Sequence, residues 1–317
     1  MELPAGTNRS PRRIVLAEGV TKSFKQVSAL SGVDLEIFEG ELVGLVGPDG
    51  AGKTTLIRIL SGLMRPDLGR ATILGQNPME SKSSVRQAMG YMPQAYSLYG
   101  DLSVDENLAF FSRMFGMTKG EFSRRRERLL EITRLHDFTN RRASLLSGGM
   151  YKKLALACSL LHQPKLLLLD EPTNGVDPVS RKELWELLRE FVEDGMAVLL
   201  STAYMDEAAR CSTVNLIHHG KIISHGSPVQ LMKSFTHEAF VAKGCSRQRL
   251  EPILESTRGI VAFSPAGSTV RVLVRKASVD EVKDKLAKLG ADLVTTRPTF
   301  EDLFLSILSQ SDKTERQ

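Results

Sequence analysis

The 317-residue sequence has no run of about 18 apolar residues, the length a helix needs to cross a bilayer. None of its own segments is expected to span a membrane, so membrane work would require another component as anchor. Cysteine is scarce. Cys158, Cys211 and Cys245 stand far apart with no C-x-x-C pair. That excludes a framework of bridges and suits a reducing cytosol, with the thiols as small packing residues. The leading MELPAGTNRSPRR carries Arg9, Arg12 and Arg13 but no apolar core after them. It reads as a flexible tail over residues 1–13 rather than a secretory leader. The net charge is +5, yet the densest basic run, Arg124-Arg125-Arg126 with Arg128, lacks the interleaved aromatics of a stacking platform. It reads as a solvated helix face, and no nucleic acid is expected as partner. There is no internal repeat and no low-complexity block.

What is present is a globular composition, 42% hydrophobic and 25% charged, in a chain long enough for one large domain and a small one. From Ile14 to Phe235 short apolar runs alternate with helical segments. LVGLVG (42–47), KLLLLD (165–170) and MAVLLS (196–201) are continuous apolar strands, as expected where both faces of a sheet are covered. The sequence thus predicts an α/β domain over 14–235 with a largely parallel core sheet. RIVLAEGVTKSF and VDLEIFEG near its start alternate like antiparallel strands. Gly226-Ser227-Pro228 turns into a short helix that closes the domain. Beyond it the texture changes. Strands at 238–243, 259–264, 269–275 and 292–297 alternate with helices at 246–257 and 278–290, with a turn at Pro265–Gly267 and a last helix from Thr299. The order β-α-β-β-α-β predicts a ferredoxin-like α+β unit over 236–310, followed by a tail at 311–317.

Three stretches carry chemistry. GPDGAGKT, Gly47 to Thr54, matches G-x-x-x-x-G-K-[ST] between a strand and the helix TTLIRILSGL. Glycine lets backbone N–H groups curl round phosphate oxygens, and the helix N-terminus adds its dipole. Gly47, Pro48, Asp49, Gly50, Ala51, Gly52, Lys53, Thr54 and Thr55 are therefore candidate phosphate ligands, with Thr54 a candidate Mg²⁺ ligand. LLLLDEP, Leu166 to Pro172, ends a buried strand in two carboxylates. Alone that pattern is common. Beside a phosphate loop, Asp170 becomes a candidate for the Mg²⁺ shell and Glu171 for orienting or deprotonating an attacking water. LSGGM, Leu146 to Met150, opens another helix with a serine and two glycines, a second phosphate-sized nest of donors. One nucleotide cannot easily use two distant nests. A second copy of the domain facing head to tail would resolve this, and an ordinary N-cap would also account for the pattern.

GPDGAGKT, YMPQ, LSGGM, LLLLDEP, GVDP and STAYMDEA, in this order, resemble the ATP-binding cassette (ABC) ATPases over Ile14 to Phe235. The resemblance implies a P-loop NTPase cassette with a mostly parallel core sheet, an antiparallel N-terminal β part and a helical subdomain. ATP and Mg²⁺ are the implied cofactors. By resemblance Phe24 would stack on adenine. Gln94 would contact Mg²⁺ and water and sense a membrane partner. Ser147, Gly148 and Gly149 would bind the ATP held by an opposite cassette, and Asp177 would lie at the dimer interface. LSGGM, YMDEA and the C-terminal RPTFEDLFLSIL look like the drug- and antibiotic-export branch. GPDGAGKT with GVDPVSR looks closest to one cassette of tandem-cassette exporters. The implied partners are membrane-spanning permease subunits and a second cassette. The implied place is the cytoplasm, peripheral on the cytoplasmic face of the cell membrane. SLYGDLSVDENLAFF (97–111) is the segment expected to receive a helix from the membrane subunit.

One position departs from the pattern. The family's switch histidine aligns with Ala203, whose methyl neither donates nor accepts a hydrogen bond. Thr202 and Tyr204 should point elsewhere on the strand. Either this chain's own site is impaired, or Glu171 alone suffices and Ala203 is tolerated. Three functions are open: an exporter ATPase subunit, a nucleotide-gated half that closes a dimer without turnover, and a soluble ABC ATPase of translation or DNA repair. The last class usually carries two cassettes in one chain or a long coiled-coil insertion, and neither is here. The transported substrate is not encoded in these motifs, since selectivity should reside in the membrane subunits.

Overall fold

The structure, a computed structural model, describes residues 12–80, 84–95 and 97–315. The expected N-terminal tail lies, through residue 11, outside the described residues. The chain divides into two compact units, Met1–Ala203 with Ile217–Ile222, and Tyr204–Leu216 with Ile223–Gln317.

The first unit begins with β1 (Arg13–Phe24), β2 (Val27–Phe38) and β3 (Leu42–Val46), then α1 (Lys53–Leu60), β4 (Leu68–Ile73), α2 (Ser84–Gln87) and β5 (Met89–Met92). It continues with α3 (Val104–Met114), α4 (Lys119–Thr133), α5 (Gly148–Leu160), β6 (Leu166–Asp170), α6 (Pro178–Glu193) and β7 (Ala197–Thr202). β2, β1 and β4 form an antiparallel sheet in that order. β1 starts at Arg13, one residue inside the expected tail, because Arg13 already pairs with Phe38 and its guanidinium reaches Glu36 at 2.6 Å.

β5, β6, β7 and β3 lie side by side and parallel, in that order. Every residue of β3, β6 and β7 is buried, so the runs are apolar without alternation. α1 is held between the two sheets. Its Leu56, Ile57, Ile59 and Leu60 share one core with Val15, Val20 and Leu35 of the antiparallel sheet and Leu45, Leu166, Leu168 and Leu199 of the parallel one. The C-terminal ends of the parallel strands therefore open at one edge, where ligands of open α/β sheets bind.

α3, α4 and α5 form a helical part. Capping boxes start two of them, Ser103 with Glu106 and Thr118 with Glu121. The arginine run lies on α4. Arg126 grips Asp105 of α3 through Nε at 2.7 Å and Nη2 at 2.6 Å, Arg128 reaches Asp194 at 3.3 Å, and Arg125 donates to the Leu161 carbonyl at 2.6 Å. Arg125 and Arg126 are thus half-buried and tie helices together, while Arg124 and Arg128 are exposed, as on a solvated face.

The second unit takes α7 (Met205–Ala208) and, past the hairpin of β8 (Thr213–His218) and β9 (Lys221–Gly226), α8 (Pro228–Lys233). It continues with β10 (His237–Lys243), α9 (Arg247–Ser256), β11 (Ile260–Ala266), β12 (Thr269–Arg275), α10 (Val279–Ala287), β13 (Asp292–Thr296) and α11 (Phe300–Glu315). Its antiparallel sheet has the order β11-β12-β10-β13. Phe240, Val270, Val272 and Val274 pack with Leu250 and Leu254 of α9 and Val282 and Leu286 of α10. α11 touches β11, α7 and α8. Arg271 of β12 binds Asp302 of α11 in a two-pronged pair at 2.6 and 2.5 Å, and Thr299 caps the helix on the same carboxylate.

Three expectations are corrected here. The boundary at 235/236 is not where the chain divides, because α7 and α8 pack on α11 and so belong to the second unit. The tail expected at 311–317 is helical as far as Glu315, and residues 316–317 lie outside the described residues. The turn expected at Pro265–Gly267 starts later. Pro265 stays in β11, paired with Val270, which an edge strand tolerates because its outer N–H positions need no partner.

The segment that follows Gln94 hangs on one buried amide. Asn107 has 0% exposure. Its Nδ2 donates to the carbonyls of Tyr99 at 3.0 Å, Leu102 at 3.1 Å and Ser103 at 2.9 Å, and its Oδ1 accepts from the Tyr99 N–H at 2.9 Å. Asn107→Leu keeps the volume and strands those groups. It should destabilise the first unit by about 3 kcal/mol, at the upper end for unmade buried hydrogen bonds. Urea unfolding would measure this, and a loss below about 0.5 kcal/mol, within the scatter of surface changes, would show that the amide does not hold the loop.

Candidate functional site

The loop Gly47–Gly52 joins β3 to α1. A Cβ on Gly47 would lie 2.1 Å from the Ile217 carbonyl oxygen, and one on Gly52, at φ 108°, 2.4 Å from that of Ala29. Close backbone approach thus requires glycine at both ends of the loop. Ala51 is buried, and its carbonyl accepts the Gly220 N–H at 3.0 Å. Lys53 is 4% exposed, and its ammonium donates to the carbonyls of Gly47 at 2.9 Å and Pro48 at 3.0 Å. It also lies 3.3 Å from Glu171 Oε1 and 3.9 Å from Asp49 Oδ1. A buried ammonium without such partners would be costly.

β6 delivers the two acids. Asp170 is 1% exposed and its Oδ1 accepts from Thr54 Oγ1 at 3.1 Å and from Ser201 Oγ at 2.7 Å. Glu171 turns out of the strand at φ 48°, in the left-handed region. Its N–H is shared by the Ser201 hydroxyl at 3.0 Å and the Ser201 carbonyl at 3.2 Å. Gln94 Nε2 donates to Glu171 Oε2 at 2.7 Å, and Asn174 Nδ2 to the same oxygen at 3.4 Å. Asp49, Gly50, Gly52, Lys53, Thr54, Thr55, Gln94 and Glu171, with Ala29 and Asn174, line one cavity of about 310 Å³.

The remaining candidates stand apart from that cavity. Phe24 ends β1 with 46% exposure and does not line it. Ser147 caps α5, its hydroxyl accepting the Met150 N–H at 3.3 Å. Asp177 caps α6, accepting from Val179 at 3.1 Å and Ser180 at 3.0 Å, and the hydrogen bonds from Ser180 lower its carboxyl pKa. The two caps are packed together: a Cβ on Gly149 would lie 2.2 Å from Ser180 Oγ and 3.1 Å from Asp177 Oδ2. Ala203 follows β7 and is exposed, offering only its methyl.

Three contributors were not found from sequence. Ser201 bridges Asp170 and Glu171, and Asn174 backs the Glu171 carboxylate. Lys152 of α5 donates to the Gln94 carbonyl at 2.8 Å; burial lowers its pKa, opposed by Asp170 and Glu171. The available signal for Ser201 was a polar residue at the end of a strand otherwise apolar on both faces. Cys158 and Cys211 are buried in packing roles, and burial pushes Cys211 up to about 12.

The oxygen donors Thr54 and Asp170 suit Mg²⁺, a hard cation that takes one or two carboxylates together with phosphates. Among the described residues no group of three His, Cys, Asp or Glu could hold a metal ion.

A family model described as ABC transporter matches residues 30–174. The chain is 38% identical over 311 residues to the probable multidrug ABC transporter ATP-binding protein YbhF of Escherichia coli K12, covering 95% of this chain and 53% of that protein. It thus spans about half the length of that relative. It is 35% identical to the Nod factor export ATP-binding protein I of Rhizobium sp., covering 91% of this chain and 95% of that one. With the doxorubicin resistance ATP-binding protein DrrA of Mycobacterium tuberculosis it shares 33%, covering 97% and 96%. Among solved structures, an ATP-binding subunit of an ABC transporter superposes with TM-score 0.65 at 29% identity, over 70% of this chain and 93% of that one. A dimeric post-hydrolysis ATP-binding cassette bound to ADP and phosphate, MJ0796, gives 0.62 at 27%, over 68% and 98%. The fold is that of a P-loop ATP-binding cassette. The chain belongs to the ABC transporter family, among its ATP-binding proteins.

Gly149→Ala tests the packed caps. The added methyl meets Ser180 Oγ, and overpacking of this kind costs roughly 1–3 kcal/mol. Gly149→Ala should lower the melting temperature by several degrees, and a second change, Ser180→Gly, should recover part of it. No recovery in the double variant would show that the contact is not what requires glycine.

Proposed function

We propose that this chain is the ATP-hydrolysing subunit of an exporter. It binds Mg-ATP, closes head to tail on a second cassette, and works with separate membrane-spanning permease subunits on the cytoplasmic face of the cell membrane. The observation that carries this reading is the convergence of Lys53, Thr54, Gln94 and Glu171 on one cavity, with Asp170 tied to Thr54 behind it. The Nod factor export and doxorubicin resistance names of two relatives and the dimeric cassette bound to ADP and phosphate support it. Among the described residues no helix is long and apolar enough to cross a membrane, in keeping with the need for permease subunits.

The geometry supports the following division of work. A triphosphate seated in the loop draws the Lys53 ammonium from the Gly47 and Pro48 carbonyls and from Glu171, since phosphate oxygens are stronger acceptors. Thr54, Asp170 and the Gln94 side-chain carbonyl would hold Mg²⁺, which would supply positive charge to the bound phosphates. Glu171, released by Lys53 and still held by Gln94 and Asn174, can accept a proton from the attacking water. Phe24 would stack on adenine, and the α5 N-terminus with Ser147, Gly148 and Gly149 would bind the partner's ATP beside Asp177.

Ala203 favours a second element of the reading: the site on this chain's own P-loop is slow, while its signature serves a competent site on the partner. One missing positioned group commonly lowers rate by roughly 10²–10⁴. In the assembled transporter Ser147→Arg should abolish steady-state phosphate release, and Glu171→Gln should change it little. Ala203→His should raise release by the isolated, self-associating chain by about 10². Lys53→Ala should weaken ATP binding measured by calorimetry. If Glu171→Gln is as damaging as Ser147→Arg, this chain's own site is the catalytic one and Ala203 is no handicap. Unchanged affinity in Lys53→Ala would remove the nucleotide assignment itself.

The permease is assigned to a groove of about 550 Å³ where Phe111, Met114 and Phe115 of α3 and its C-cap face Leu63, Met79 and Tyr91. Leu63 and Met114 are 66% and 62% exposed, and Tyr99 beside α3 is 51% exposed. Val104, expected on this surface, is instead fully buried at the first turn of α3. A short amphipathic helix fits such a groove. Cysteine crosslinks from Met114 should reach the permease; crosslinks confined to the second unit would refute the assignment.

A further inference from the structure

We infer that Ser201 is a positioning residue for the metal end of the site: its hydroxyl aims Asp170 at Thr54. Ser201 has 0% exposure and stands opposite Asp170 in the parallel β6–β7 register. Its strand is apolar up to that point, Ala197-Val198-Leu199-Leu200, so a buried hydroxyl there must have a partner. It has two. The O–H donates to Asp170 Oδ1 at 2.7 Å, and the oxygen accepts the Glu171 N–H at 3.0 Å. One hydroxyl thereby joins consecutive acids with different tasks.

The two bonds depend on each other. Accepting the Glu171 N–H directs the lone pair of Ser201 at the backbone, which leaves its proton for the carboxylate. Donating to Oδ1 from the β7 side, while Thr54 Oγ1 donates to the same atom from α1 at 3.1 Å, removes the rotation of the Asp170 carboxyl. The turn after Asp170 is held in the left-handed region at Glu171, φ 48°, a conformation a non-glycine side chain keeps only when its surroundings fix it. Ser201 supplies both bonds to that amide, one from its hydroxyl and one from its carbonyl. Partners behind a metal ligand set its orientation, and removing one typically weakens metal binding 10–100-fold.

The inference rests on Asp170 and Thr54 serving Mg-ATP, so the test separates the two ideas. The full chain is titrated with ATP by calorimetry, in excess EDTA and in excess Mg²⁺, for the wild type, Ser201→Ala and Ser201→Thr. ATP binding by the wild type in EDTA, strengthened by Mg²⁺, stands for the nucleotide reading alone; its absence would sink that reading and this inference with it. Ser201→Ala should keep ATP binding in EDTA within about twofold and lose about tenfold of the gain from Mg²⁺. Ser201→Thr, which keeps the hydroxyl, should restore the gain. An undiminished Mg²⁺ gain in Ser201→Ala overturns the proposal. An equal fall in both buffers also overturns it, because that marks packing alone. Should Ser201→Ala melt too low to titrate, Ser201→Cys, close in size and a much weaker donor, carries the same comparison.

Discussion

The site depends on one buried carboxylate. Asp170 ends a strand of four leucines with 1% of its surface exposed. A buried carboxylate needs hydrogen-bond donors around it. Its donors come from two other elements: Thr54 from the first turn of α1, and Ser201 from the end of β7. Meeting that need aligns the ends of three neighbouring strands. β6 pairs with β7 so that Asp170 faces Ser201, and β3 pairs with β7 so that Val46 faces Thr202, which sets the start of the phosphate loop. A slip of one residue would turn Ser201 to the opposite face of the sheet. Register, loop entry and acid placement are therefore a single constraint satisfied together.

The same economy recurs where α5 and α6 begin. Gly149 has no room for a side chain because Ser180 and Asp177 occupy the space. The nest of N–H groups on α5 is thus placed by the cap of α6, whose own loop descends from Glu171. Lys152 extends this linkage, holding the Gln94 carbonyl from α5 while the Gln94 amide holds Glu171. Ser147 and Glu171, which the proposed reading gives to opposite nucleotides, are joined by two short paths. Strain at one has a physical route to the other, and both paths lie within the first unit.

The sequence made legible what is contiguous. A glycine loop between a strand and a helix, a leucine strand ending in acids, and a serine with two glycines each carry their chemistry in a few adjacent residues. The structure does place Lys53, Thr54, Gln94 and Glu171 around one cavity. What stayed hidden is pairing across distance. Ser201 meets Asp170 only through the β6–β7 register, and nothing in STAYMDEA signals that register. Lys152 reads as one more basic residue of a helix until the Gln94 carbonyl is found beneath it. The arginine run is similar: composition shows four charges, whereas Arg126 and Arg128 are committed to Asp105 and Asp194. The division of the chain failed to show for the same reason. Its cause is the packing of α11 on α7 and α8, nearly a hundred residues earlier in the case of α7.

The consequence of Ala203 depends on what else holds Glu171. In a site where residue 203 alone oriented the glutamate, a methyl there would disorder the base as well as remove a phosphate contact. Here the Glu171 carboxylate is already held by the amides of Gln94 and Asn174, and its backbone by Ser201. The base is thus oriented without help from residue 203. What the methyl withholds, in the proposed reading, is a donor to the γ-phosphate on the β7 side of the cavity. Such a donor acts where charge develops during reaction, and its loss weighs on the transition state more than on bound ATP. In the proposed reading, such a site would hold Mg-ATP with its base in place and turn over slowly, so that one nucleotide could keep a head-to-tail dimer closed while the other is hydrolysed.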